Sequence, residues 1–434
     1  MNTASQPLGR AWGMVAALFL IYVFAWLDRL AVSMLVSPIK ETMQLSDVEM
    51  SLVLGPAFAF AYAVFGVPLG WAADKFPRRL VIFFGVLVWA AATFACGLVS
   101  TFPALLACRV VVGIGEAALL PSAYSLIGDA FPPQKVTMAT SVFQSAGKTG
   151  SAAAFGLGGL AIAFAQTMTH VEWPVVGHAS YWQITFWLVG IPGFALAFLA
   201  LSFPDPPRRQ TAGDSAQRGD LKSFFARHGK LAGLVAFAFT CLAMVGYSLT
   251  SWVPTYMDRH FGWEPARYGV ALSMMNILGA LALIMCGRIV DTLFTRGMRD
   301  AHLRFYTWTI LALSPAVVAA FFVSNPYLFL ACYALIQIIT VPFIVYGSAI
   351  IALLAPSHAR GQLLGLLMFV FNIAGFGGGP ALVGFLTDHV FADEAQVGMS
   401  LAVVTIGGAV LALVTMRIAL PILRRAVGEE VAEV

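Results

Sequence analysis

The chain has 434 residues, of which 60% are hydrophobic and 11% charged, with a formal net charge of +4. Soluble domains carry about 25% charged residues, so this composition excludes a soluble enzyme or binding module and points to a polytopic membrane protein. The small positive balance is no nucleic-acid footprint, because in such a chain the placement of Lys and Arg matters more than their sum, and no nucleic-acid partner is expected.

Apolar runs of bilayer-spanning length, about 20 residues each, are predicted at 12–36, 50–72, 80–100, 104–130, 137–166, 181–202, 231–256, 267–291, 303–323, 327–354, 361–390 and 397–420. The first follows Arg10 and reads as a retained helix: it is too long for a signal-peptide core and has no small-residue cleavage site. Deep within it stand Asp28 and Arg29. A charge near the bilayer centre costs roughly 2.5–3.5 kcal/mol even on the gentler insertion scale, so such residues face a protein interior or a watery cavity and are functional candidates. In the fourth span Arg109 and Glu116 lie seven residues apart, two helical turns, and so share one face. Lys148 interrupts the fifth span within Gly147-Lys148-Thr149.

These five charges all fall in the first six spans, three cations against two acids. Surplus positive charge attracts an anion, and arginine offers a two-pronged fork to a carboxylate. The competing reading is structural: Asp28 with Arg29, or Arg109 with Glu116, as pairs that lock helices together, and Lys148 as a partner of Glu116. The last six spans offer only polar side chains, Tyr247, Asn276, Gln337, Tyr346 and Asn372. Hydrogen bonding between helices explains these as well as substrate contact does. Trp26, Trp252 and Phe371 are candidates to pack an apolar part of a substrate, although core or interfacial placement is the commoner use. The run Gly375 to Pro380 predicts a bend or a tight helix crossing.

Between the sixth and seventh spans lies a long polar stretch opening on Pro204-Asp205-Pro206-Pro207. It divides the chain into a first bundle (1–203), a linker (204–230) and a second bundle (231–434). Lys and Arg concentrate in the linker, in the Lys75–Arg79 and Arg288–Arg304 segments and at Arg417–Arg425, with Lys40, Arg259 and Arg267 on the opposite side. Both termini are therefore expected in the cytoplasm. The cysteines have no metal or redox spacing, the histidines fall in loops or at span ends, and His170, Glu172 and His178 lack a further ligand. No metal, cofactor or catalytic constellation is expected. A sensor lacking transport activity would need a soluble domain that linker and tails are too short to hold.

A weak repeat relates the halves: Gly70-Trp71-Ala72-Ala73-Asp74-Lys75-Phe76-Pro77-Arg78-Arg79 after the second span, and Gly287-Arg288-Ile289-Val290-Asp291 after the eighth. The glycine is expected to let two helices approach closely, and the aspartate and basic residues to bridge helix ends. The first of these segments resembles the signature loop of the major facilitator superfamily. Leu27-Asp28-Arg29, Gly113-Ile114-Gly115-Glu116-Ala117, Ser125 to Pro133 and Gly379 to Asp388 resemble its bacterial spinster-like and anion:cation symporter-type members.

The resemblance implies an all-α membrane protein of twelve transmembrane helices in two six-helix bundles, working by alternating access around a central cavity. It also implies Asp28 and Glu116 as the proton-coupling pair, and Gly70, Asp74, Arg78, Arg79 and Asp129 as gating residues, with Asp129 engaging the loop arginines. Lys148 departs from the small or apolar residues of spinster-like relatives and weighs against a lipid substrate. The expectation is a proton-coupled symporter of a small organic anion, a sugar acid or an aromatic acid, held by Arg29, Arg109 and Lys148. The alternative is a spinster-like lipid or lysolipid exporter, or a drug:proton antiporter. The partners expected are the anion, protons and membrane lipid. The protein is expected as a monomer in a bacterial inner membrane.

Overall fold

The computed structural model describes residues 8–173, 177–208, 219–354 and 360–432. Among these, eleven helices are long and apolar enough to cross a membrane. The predicted ninth span forms a helix as well, Ala301–Ala319. At 19 residues and 1.5 Å per residue it is long enough, about 28 Å. It is less apolar than the others, because His302, Arg304 and the stretch from Tyr306 to Thr309 occupy its first half. Every predicted segment thus carries a helix, and the protein is multi-pass.

The helices gather into two compact units. One takes the described residues up to 208 together with Gly262–Met274, the other 219–261 and 275–432. Two boundaries differ from the sequence expectation. Residues 219–230, read as linker, are the opening turns of a 43-residue helix, Gly219–Phe261, that continues into the seventh span. The first turns of the eighth span belong with the first unit because glycines let them lie directly on the fifth. A methyl group on Gly269 would stand 2.4 Å from the Phe155 carbonyl oxygen, and one on Gly159 2.6 Å from that of Pro265. Tyr268 donates from its hydroxyl to the Met34 carbonyl at 3.3 Å.

Three spans of the first unit are broken partway. The first ends its α-helix at Ala31 and tightens into a 3-10 turn, Val32–Met34. The second breaks at Gly55, where Pro56 forces the preceding residue out of helical geometry (φ −128°, ψ −75°). The fourth is split into Phe102–Glu116 and Leu119–Ala130. Broken helices in a membrane are tolerated where protein or a cavity satisfies the freed backbone groups. Between the breaks the helices are in backbone contact: a Cβ on Gly113 would lie 2.7 Å from the Phe58 carbonyl oxygen, and one on Gly115 2.7 Å from that of Gly85.

The signature glycines do not serve in this way. Gly70 has Pro121 at an ordinary 3.8 Å and Gly287 has nothing within 4 Å. The expectation that they permit close approach is corrected, since the close crossings lie elsewhere, at Gly113 against Phe58 and at Gly115 against Gly85. In the second unit the Gly375–Pro380 run widens into a π-helical stretch, Phe371–Gly378, and Gly379 crosses Met244 so closely that a Cβ would lie 2.6 Å from its carbonyl oxygen.

Candidate functional site

The helix breaks of the first unit surround its buried charges. Asp28, Arg29, Arg109 and Glu116 are all buried, and their pairing crosses between helices rather than running along them. Arg29 donates from Nε at 3.2 Å, and from a second guanidinium nitrogen, to Oε2 of Glu116. Arg29 and Glu116 are 87 residues apart. Glu116 therefore pairs with Arg29, rather than with Arg109 two turns away on its own helix or with Lys148, and both helix-locking pairs considered from the sequence are corrected. Asp28 is held by the Thr93 hydroxyl, which donates to Oδ2 at 2.7 Å.

Arg109 is fully buried, and none of its three guanidinium nitrogens has a hydrogen-bond partner among the described residues. Oδ1 of Asp28 and Oε1 of Glu116 are also buried and unpartnered. An unmet charged donor in a low-dielectric interior costs several kcal/mol. The two arginines and two carboxylates balance in charge, and what is unmet is the hydrogen-bonding capacity of the Arg109 fork.

An aromatic wall completes the site. The Arg29 guanidinium carbon lies 4.4 Å from the ring centre of Phe58, 5.0 Å from Trp26 and 5.4 Å from Tyr62, and that of Arg109 lies 5.9 Å from Phe58. Aromatic faces stabilise cations without neutralising them, so the Arg109 fork keeps its donors open. Phe58 and Tyr62 went unseen in the sequence because an aromatic in an apolar span has the same signature whether it faces lipid or a cation. Lys148 is half-buried on the fifth span. Its neighbours Gly147 and Gly150 rest on Trp26, at 3.3 and 2.7 Å for an added Cβ, which fixes that turn of helix beside the first span.

The second unit places its candidates differently. Asn372 donates to the Met368 carbonyl at 2.9 Å and so serves its own helix. Gln337 accepts from Thr340 at 3.5 Å. Tyr346 is buried edge-on to Tyr306 and His302, its hydroxyl unpartnered. Tyr247 packs edge-on to Phe376 and Phe343, and Phe343 in turn to Phe371, forming an aromatic cluster. Asn276 is buried. Trp252 donates to the Pro380 carbonyl at 3.1 Å, a structural use.

At the Lys/Arg-rich end of the first unit, Arg78 is the buried hub. It pairs with Asp129, reaches Ser125 at 3.0 Å, and holds Asp205 through Nε at 2.9 Å and its backbone N–H at 2.6 Å. Arg79 makes none of these contacts, and Asp74 is exposed. Asp205, read only as part of a helix-ending linker, is a full member of this network. Another residue missed is Asp300, buried in the second unit and accepting from Arg304 at 2.7 Å and Arg424 at 2.9 Å. Its sequence signal was an acid amid four basic residues, Arg288, Arg296, Arg299 and Arg304.

The model of the Major Facilitator Superfamily matches residues 18–300. An MFS-type efflux pump of Mycolicibacterium smegmatis is 29% identical over 387 residues, 88% of this chain and 86% of the relative. A hexuronate transporter of Bacillus subtilis is 25% identical over 86% of this chain and 87% of its own, and a D-galactonate transporter of Escherichia coli is 25% identical over 93% and 95%. Among solved structures, a bacterial homologue of the human lysosomal transporter spinster, inward-facing and unoccupied, superposes with a TM-score of 0.77 at 22% identity over 99% of both chains.

Proposed function

The chain belongs to the Major Facilitator Superfamily of membrane transporters, and on that premise we propose that it is a proton-coupled symporter of a small organic anion, with a sugar acid as the leading substrate class. The observation that carries this reading is Arg109: a fully buried guanidinium with no hydrogen-bonding partner among the described residues, beside the Arg29–Glu116 pair. A carboxylate is the ligand whose geometry a free guanidinium fork fits. The hexuronate and D-galactonate transporters among its relatives support the substrate class.

The crossed pairing supplies the coupling. With Glu116 ionised, Arg29 is engaged. A proton on Glu116 cancels that attraction and frees Arg29 to join Arg109 on the substrate carboxylate, with Lys148 at the open side. Asp28, held by Thr93, is the second acid able to carry a proton in this scheme. Proton and anion then bind together and leave together as access alternates. Arg78 with Asp129 and Asp205 would latch one conformation, and Gly70, Asp74 and Arg79 would complete the gate. A bacterial plasma membrane, both termini cytoplasmic and a monomeric state belong to the same proposal.

The test is thermal stabilisation of the purified protein by hexuronates, aldonates, aromatic acids, neutral sugars and lysolipids at two pH values. A ligand specific to the folded state at 100 times its Kd adds about 2.7 kcal/mol. Stabilisation by one carboxylate class, stronger at the lower pH and lost in Arg109→Ala, is expected. Stabilisation by lysolipids or hydrophobic cations alone would instead favour the second reading, an exporter, which the likeness to the efflux pump supports. In an exporter Lys148→Ala would be tolerated; in the symporter it weakens anion binding.

A further inference from the structure

A groove of about 400 Å³ runs along the outside of the first unit between the second, third and fourth spans. Its wall is almost wholly carbon, from Leu69, Ala72, Leu80, Phe84, Val88 and Ile114. Leu80, Phe84 and Val88 recur every four residues on the exposed stripe of the third span, while Ile82, Val86 and Trp89 on its other face are buried in the unit. The groove therefore opens towards the hydrocarbon layer. Gly85 and Gly115 meet at its floor, where neither contributes a side chain.

The end of the groove is formed by Phe76 and Pro77, and cations surround it. Lys75 lies over the Trp71 ring at 5.9 Å, and that exposed ring stands edge-on to Phe76. Arg208 is exposed and donates to the carbonyls of Ala73 and Phe76, each at 2.8 Å. Arg79 has a buried Nε with no partner. Asp129 and Asp205 both pair with Arg78 and Asp74 is exposed, so this corner sets four cations against three carboxylates and keeps a positive excess. Three cations, an interfacial tryptophan and an apolar slot descending from them make up a phospholipid-shaped site.

We propose that this groove binds an anionic phospholipid, one acyl chain along Leu80–Val88 and the phosphate among Lys75, Arg79 and Arg208. An acyl chain leaving bulk lipid for the groove gains only packing, since lipid tails are as apolar as the wall. Selectivity must come from charge-assisted hydrogen bonds at the headgroup. The occupant is a resident lipid at the signature loop, separate from the buried charges of the transport site. Because it touches Ala72–Phe76 and Arg208, which brace the Arg78 hub, it would hold that corner in place.

The full-length protein, purified and equilibrated with equimolar phosphatidylglycerol and phosphatidylcholine of the same acyl composition, is examined by native mass spectrometry. Wild type is expected to retain one phosphatidylglycerol at least tenfold over phosphatidylcholine. Lys75→Gln, at an exposed position, removes a headgroup cation, and Val88→Trp fills the slot while leaving every cation in place. Each is expected to cut phosphatidylglycerol retention about tenfold, with a melting midpoint showing that the variant is folded. Equal retention of the two lipids by wild type, or retention that survives either substitution, overturns the proposal.

Discussion

Arg29 and Arg109 share the ring of Phe58 but differ in what balances them. Arg29 is bound to Glu116, whereas Arg109 has no hydrogen-bond partner among the described residues, and this difference separates the outcomes of their removal. Arg29→Ala strands a buried carboxylate and is expected to destabilise the protein by about 3–5 kcal/mol, with much of the loss restored in Arg29→Ala/Glu116→Ala, since breaking a buried pair costs more than deleting it. A double-mutant cycle on the melting midpoint measures this. Arg109→Gln removes an unmet charge and is expected to fold as well as wild type, while anion affinity falls by about 10- to 100-fold, the worth of a charge-assisted contact of about 1.5–3 kcal/mol. Isothermal titration separates affinity from folding.

The helices are held where backbone meets backbone, and glycines mark those points. Gly113→Ala drives a methyl group against the Phe58 carbonyl at 2.7 Å, displacing the ring that both arginines share. A cost of about 1–3 kcal/mol is expected, with a loss of anion affinity. Gly70→Ala meets Pro121 at 3.8 Å and is expected to be neutral, or stabilising by up to about 1 kcal/mol from helix propensity. Melting midpoints of the two variants in one detergent decide this, and equal midpoints would mean that the second and fourth spans are not locked at Gly113. The breaks at Val32–Met34, Gly55 and Ala117 do for the first unit what no single residue does: they bring Asp28, Phe58 and Glu116, from three spans, to one place.

Across the whole molecule the coupling scheme has a direction. If protonation of Glu116 frees Arg29 for the anion, uptake into proteoliposomes rises as the outside is acidified and the inside held alkaline. Glu116→Gln, permanently neutral, is expected to exchange labelled for unlabelled anion at a rate within a fewfold of wild type, while net uptake driven by a proton gradient is lost. Retained gradient-driven uptake in that variant would remove Glu116 from the proton path. The Lys and Arg asymmetry adds a topological expectation: single cysteines introduced near either terminus react with an impermeant thiol reagent only after the membrane is opened.

Much of this was legible in the amino-acid order. Span positions follow from runs of apolar residues, a property of consecutive sequence, and Asp28, Arg29, Arg109, Glu116 and Lys148 stood out because charge is expensive in such runs. Partnership was not legible. Neighbours in sequence suggested Asp28 with Arg29 and Arg109 with Glu116, yet Arg29 meets Glu116 from 87 residues away and Arg78 meets Asp205 from 127, because helix packing and not chain proximity chooses partners. Phe58 and Tyr62 were hidden for a related reason, the face the second span turns inward being set where Gly113 meets Phe58 and Ala61. Linear order thus reveals which groups cannot face lipid. Only the packed bundle decides which of them neutralise one another, and among the described residues it leaves Arg109 without a hydrogen-bonded counterion.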